Sequence, residues 1–523
     1  MTNKNRPGMG FAVNINSDSG LNKKTSERSA ADNTVMKTGP DTPFSIAVLG
    51  SFSGKSTKAE NPRPLSARKI IEIDRDNFES VMASLDIELK LDIGGEQVVI
   101  KISELDDFHP DELYDKVESF SKLRSLKRRL KNNKTFAEAA AEIQSWRPLK
   151  PVDTQSDSVE SIASPDKDEL PTENLLDTIL GSSEQKASLE SNAETAHINK
   201  LIRSIVAPYV EPAADPRQDE LIAMVDHATE MHMRDIMHHQ EFQAIESAWQ
   251  SIYFLIKRLE TGSKLKINLL DISQLELTED LAVEEISQSV LYKKFCDAAE
   301  GDSPWSILLG NYTFSDNIED ALTLANMGVI AQKAGASFIS AANERLVGCE
   351  SFSNANDFED WNYTMKSGVM EAWTLLRQSE VAKHIALTLP KFLLRVPYGK
   401  KGKPVEAFNF NEMPESHCHE CYLWGNAAFL KVEMIARNFL ANGWNMRPSQ
   451  VYQTNDLPVA YFDDEGEVVA KPIAEILLTE RGGEQIRQHG FISMWSVRNE
   501  DAVRSSDFRS ISEAGEEMAG RWQ

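Results

Sequence analysis

The chain has 523 residues, 41% of them apolar and 26% charged, and carries a formal net charge of −25 at pH 7. That length is enough for two or more domains with real cores, and the acidity argues against sequence-independent nucleic-acid binding, which needs Lys and Arg to displace phosphate counterions. Cys296, Cys349, Cys418 and Cys421 are too few and too scattered for a disulfide framework, so a reduced compartment is expected; no secretory signal opens the chain, and no run of about 18 apolar residues is present to span a membrane.

Residues 1–41 are rich in Asn, Ser, Thr, Lys and Gly and read as a disordered N-terminal arm. One island interrupts them: Phe11, Val13 and Ile15 alternate with Ala12, Asn14 and Asn16, either a short strand or a chance cluster. Phe44 to Gly50 (FSIAVLG) is an apolar run expected to form a buried strand. GSFSGKS follows and invites a phosphate-loop reading. The spacing rejects it: only three residues separate Gly50 from Gly54, and Pro62 and Pro64 prevent the helix that should open at Lys55.

Ile71 and Ile73 alternate, and Asp74 is expected to cap a helix carrying Phe78, Val81, Met82 and Leu85. Residues 107–130 read as an amphipathic helix pair with the stripe Val117, Phe120, Leu123, Leu126 and Leu130. Residues 148–172 (PLKPVDTQSDSVESIASPDKDELPT) are a linker by composition. In the next segment, 173–196, Leu175, Leu176, Ile179 and Leu180 share one helix face, either packed on the domain behind it or offered to a partner's groove.

Residues 219–260 predict two helices, with Phe242, Ile245, Trp249, Ile252, Ile256 and Leu259 on one face of the second. Thr261-Gly262 is expected to stop it, and Leu265, Ile267 and Leu269 alternate as a strand. Residues 303–314 read as a buried strand. Residues 321–342 read as a helix, a stop at Gly335 and a strand from Phe338 to Ala341. Helix and strand in alternation predict an α/β layer.

His417, Cys418, His419 and Cys421 are the residues most like metal ligands, but adjacent ligands do not easily converge on one ion, so a solvated loop is expected. His227, His232, His238 and His239 are expected on a helix surface, without a His-Glu-x-x-His pattern. No catalytic constellation, cofactor site or metal site emerges, and the chain is not expected to be an enzyme.

Several blocks resemble a known family. HHQEFQAIESAWQSIYFLIKRLETGSKLKINLLDIS, HIALTLPKFLLRVPYG and YLWGNAAFLKVEMIARNF are similar to the large (TssC-type) subunit of the type VI secretion contractile sheath, with Gln240 where that family usually has Pro. R-P-L, I-D, N-F and D-F-H-P-D, in order within residues 42–147, resemble the small (TssB-type) subunit. The resemblance implies a small–large fusion: a small-subunit-like domain at 42–147 and a large-subunit-like domain at 197–523, ending before the large subunit's last segment. It implies an α/β (α+β mixed) fold of two intertwined modules, mixed sheets flanked by helices, joined over an obligate-type interface above about 2,000 Å².

The function implied is structural: a cytoplasmic sheath component that assembles around an inner tube and contracts to drive effector delivery. The alternative is a sheath-derived accessory protein that caps, initiates or limits the sheath. The implied partners are other sheath subunits, the inner tube protein, baseplate proteins and the AAA+ disassembly ATPase, without nucleic acid or membrane insertion. By the same resemblance, Leu175, Leu176, Ile179 and Leu180 would be the ATPase handle. Phe11, Val13 and Ile15 would form an inter-subunit strand.

Overall fold

The computed structural model describes residues 41–54, 63–145, 218–297, 304–353, 358–400, 402–414, 418–464, 467–498 and 500–523, with Gly39, Ile202 and Ile205. Strand β1 (Phe44–Gly50) is buried at every position, as expected of a central parallel strand covered on both faces. β2 (Ile71–Ile73) and helix α1 (Phe78–Ser84) follow. Asn77 is the N-cap residue, and Asp74 accepts the N–H groups of Asp76 and Asn77 one turn earlier than a cap would.

β3 (Ile87–Ile93) and β4 (Glu96–Ile102) form an antiparallel hairpin that the sequence reading passed over. Its two-residue turn is Gly94-Gly95 with φ of 63° and 82°; positive φ at both positions is what a type I′ turn demands. α2 (Pro110–Lys116), α3 (Glu118–Lys131) and α4 (Phe136–Ser145) complete this N-terminal module.

The second module opens with α5 (Gln218–Met237) and α6 (Gln240–Arg258). α6 ends at Arg258, with Leu259 extended; Gly262 lies in the turn beyond, its N–H donating to Leu265 O, so it does not cap the helix as expected. Then come β5 (Leu265–Asp271), α7 (Gln274–Leu281), β6 (Trp305–Phe314), α8 (Ile318–Ala334) and β7 (Ser337–Ala342). Gly335 stops α8 at φ 67°, where a side chain would also press on Arg521. The chain continues through α9 (Ser367–Gln378), β8 (Ile385–Leu389), β9 (Phe392–Leu393), β10 (Trp424–Gly425) and α10 (Ala428–Asn442). The last elements are β11 (Gln453–Thr454), β12 (Tyr461–Asp464), β13 (Glu467–Ala470), α11 (Glu480–Gln488), β14 (Ile492–Ser496) and β15 (Val503–Ser505).

Nine strands form one sheet in the order β11-β15-β14-β8-β7-β6-β1-β5-β2. From β14 to β5 neighbours run parallel; β2, β15 and β11 are antiparallel additions at the two ends. β1, from the first module, thus lies between β5 and β6 of the second, with Ile46 opposite both Ile267 and Ile307. Its side chains alternate between two cores. Phe44, Ile46 and Val48 face one core, shared with α1–α6 and α10; Ala47 and Leu49 face the other, shared with α7, α8, α9 and α11.

The last residues, from Ile511 to Arg521, form a strap. Ile511 N–H donates to Ile385 O, Ala519 N–H to Lys383 O, Ser337 Oγ to Ala519 O and Arg521 Nε to Trp305 O. It crosses the N-terminal ends of β8, β7 and β6.

Candidate assembly interface

β1 ends at Gly50, and the chain turns through Phe52, Ser53 and Gly54 at the C-terminal ends of the parallel strands. That is where open α/β sheets place phosphate and nucleotide. Here the protein supplies its own anion. Asp271 Oδ1, at the end of β5, accepts the N–H groups of Phe52 at 2.7 Å and Ser53 at 3.1 Å. Bonds to a carboxylate are roughly twice as strong as neutral ones. Trp249 Nε1 of α6 donates to Phe52 O at 3.0 Å, and Phe52 and Phe78 meet its indole edge-on at 5.8 and 5.6 Å. The loop is a fastening between modules, consistent with the spacing that rejected a phosphate loop.

A second fastening lies beside it. Arg68, following R-P-L, donates to Glu276 Oε2 and to Asp271 O, both at 2.9 Å. Glu276 is the N3 residue of the capping box that Ser273 opens on α7. Burial pushes its carboxyl up, but hydrogen bonds from Arg68 and Ser273 hold it below the usual carboxylate range.

The third contact rests on a charged, almost dry network within the second module. Arg395 donates to Glu246 Oε1 of α6 at 2.5 Å and to Glu412 Oε2 at 2.8 Å; the three side chains are 10%, 0% and 2% exposed. Glu412 also accepts Tyr398 N–H at 2.6 Å, and the guanidinium lies over the Tyr398 ring. Burial pushes the Glu246 carboxyl up, with Arg395 acting against it; Glu246 and Glu412 keep the buried guanidinium charged. The N-terminal module docks on this loop. His109 packs edge-on against Tyr398 at 4.8 Å, Asp111 accepts the N–H groups of Glu406 and Ala407, and Tyr114 stacks on Phe408 at 4.5 Å.

His227 is exposed on α5, as a surface reading expects, but His232 is not. His232 is fully buried; its Nε2 is 2.8 Å from Ser119 Oγ of α3, and burial holds the imidazole down at about 4. His239 is the N-cap of α6. The H-C-H-E-C loop is also not simply a solvated loop. Cys418 and Cys421 form a disulfide, because the turn brings their Cα atoms within 5.2 Å, and His419 Nε2 lies 3.3 Å from Glu475 Oε1. His417 lies outside the described residues, among which no group of three or more His, Cys, Asp or Glu is placed to hold a metal.

Leu175, Leu176, Ile179, Leu180, Phe11, Val13 and Ile15 lie outside the described residues. On the described surface, β2 and β11 are the sheet's edges. The β12–β13 hairpin exposes Tyr461 and Val468. Sequence reasoning missed Asp271, Glu246, Arg395 and Glu412. The available signal was a charge inside an apolar pattern: Glu246 beside Ile245 on the α6 stripe, and Arg395 ending the run FLLR.

Comparison with known proteins gives two family matches. Residues 219–511 match VipB (EvpB/VC_A0108, tail sheath N-terminal domain), and residues 32–150 match VipA (Type VI secretion system, VipA, VC_A0107 or Hcp2). The Type VI secretion system sheath protein TssC1 of Pseudomonas aeruginosa (strain PAO1) is 30% identical over 373 residues, covering 66% of this chain and 75% of the relative.

Proposed function

Because the chain belongs to the type VI secretion sheath proteins, as a TssB–TssC fusion, we propose that it forms the body of a contractile sheath. In this reading it assembles around an inner tube and contracts to drive effector delivery. The observation that supports it best is the place of β1. A strand of the TssB-type part sits inside the sheet of the TssC-type part, so the two act as one rigid building block. Sheath membership implies assembly with other sheath subunits; the tube, the baseplate and a AAA+ disassembly ATPase are proposed as further partners, and the cytoplasm as the compartment. Among the described residues, no helix is long and apolar enough to cross a membrane.

Contraction would be driven by the free-energy difference between two subunit packings, without nucleotide hydrolysis by this chain. Asp271 filling the phosphate position supports that reading. The ATPase would grip Leu175, Leu176, Ile179 and Leu180, since burying each such side chain is worth about 1.5–3 kcal/mol. Leu176→Asp with Ile179→Asp should then abolish binding to the purified ATPase, and retained binding would reject that handle.

Electron microscopy tests the function. Long helical tubes from the purified protein, alone or with a second sheath pair, are expected. Single rings, or shortened tubes in the mixture, would move the assignment to a sheath end or length limiter.

A further inference from the structure

In a chain of net charge −25, the stretch from Lys122 to Lys134 is strongly basic. On α3, Lys122, Arg124, Lys127 and Arg129 are each paired, with Glu118, Asp115, Asp226 and Glu142. Arg128, Lys131 and Lys134 are exposed at the C-terminal end of the helix, and among the described residues none has an acidic partner. The helix dipole favours cations there, but among the described residues no acid balances the three charges on this small surface.

The chain leaves and returns at this same place. α4 is tied to α3 by the Arg129–Glu142 pair and ends at Ser145. α5 begins at Gln218, whose Nε2 donates to Leu130 O at 2.5 Å. After Arg147 and Lys150, the interval between these points carries a run of opposite sign: residues 153–169 hold Asp153, Asp157, Glu160, Asp166, Asp168 and Glu169 against Lys167 alone. The chain from Ser145 to Asp153 spans up to about 29 Å when extended, ample reach to the end of α3.

We infer that the basic end of α3 is a docking surface for the acidic segment 153–169 of the same chain. Both ends of that segment's loop are anchored beside the surface, which raises its effective concentration to the order of millimolar. A second copy arrives with a repelling net charge of its own. Single exposed ion pairs are weak, so the contact relies on several pairs at once and is screened by salt, the Debye length falling from about 10 Å at 0.1 M to about 3 Å at 1 M.

Zero-length carbodiimide cross-linking of the full chain tests this, using a mixture of unlabelled and isotope-labelled copies read by mass spectrometry. Amide links from Lys131 and Lys134 to residues 153–169 should form within single copies at about 0.1 M salt and fall several-fold at about 1 M. Links between differently labelled copies, or to other surfaces only, would overturn the inference. Independently, Arg128→Gln, Lys131→Gln and Lys134→Gln together should speed cleavage after Glu160 and Glu169 by a Glu-specific protease severalfold at low salt only. Equal rates would overturn it as well. Neither readout depends on tube formation.

Discussion

Replacing Arg395 by Met would remove the cation that Glu246 and Glu412 share and leave both carboxylates in an almost dry site. Removing one partner of a buried ion pair costs about 3–5 kcal/mol, and two stranded acids place Arg395→Met toward the upper end. At about 1.4 kcal/mol per decade, the unfolding equilibrium should rise by roughly 10³-fold or more. Urea unfolding followed by tryptophan fluorescence reads this, since Trp249 is fully buried on α6, the helix that carries Glu246.

The pH dependence follows from Glu246, whose carboxyl burial already pushes up. A raised folded pKa means the folded state holds its proton better than the unfolded chain does. Its contribution is therefore complete below the ordinary glutamate value of about 4.3 and is lost as pH rises through the raised value. The deficit of Arg395→Met should be smallest in acid and grow toward neutrality, and adding Glu246→Gln should recover part of it. A single variant within about 1 kcal/mol of the parent, or a double variant with no recovery, would refute the reasoning.

Asp271→Ala removes the acceptor of two loop N–H groups and should cost about 2–4 kcal/mol; titration of the parent with a fluorescent ATP analogue should show no binding. His232, held at about 4, takes up its proton more readily unfolded than folded, so its contribution is full above about 6.5 and is lost as pH falls toward 4. His232→Gln should flatten the acid limb of the stability curve by up to about 3 kcal/mol, and an unchanged limb would contradict this. A single proteolytic cut within residues 148–172 should leave the two parts co-eluting on gel filtration, whereas residues 197–523 expressed alone should aggregate.

Individual elements were legible where one periodicity dominated. FSIAVLG read as a buried strand because it is apolar on both faces, and the α6 stripe because its spacing is helical. The β3–β4 hairpin carried equally plain alternation and a Gly-Gly turn, and was overlooked among the neighbouring helices. The order of strands was not legible. Nothing in the local pattern of residues 44–50 says that their neighbours lie beyond residue 264, because partner choice in a sheet depends on which apolar surfaces remain uncovered after the helices pack. The charged network was half hidden for a related reason: Glu246 and Arg395 each interrupt an apolar pattern, but they are 149 residues apart, and nothing local pairs one with the other.

The place of β1 also bears on how such a molecule is made. Ser45 meets Ser306 across 261 residues of sequence. When synthesis begins at the N-terminus, the central strand emerges long before either neighbour exists, and the sheet cannot close until β5 and β6 follow. Two separate chains would have to meet before that slot could be filled, with β5 and β6 exposing open edges prone to mispairing in the meantime. Carrying both parts on one polypeptide makes the missing strand a tethered one, present in equal number at every ribosome, so strand capture no longer depends on how much of a second protein the cell has made.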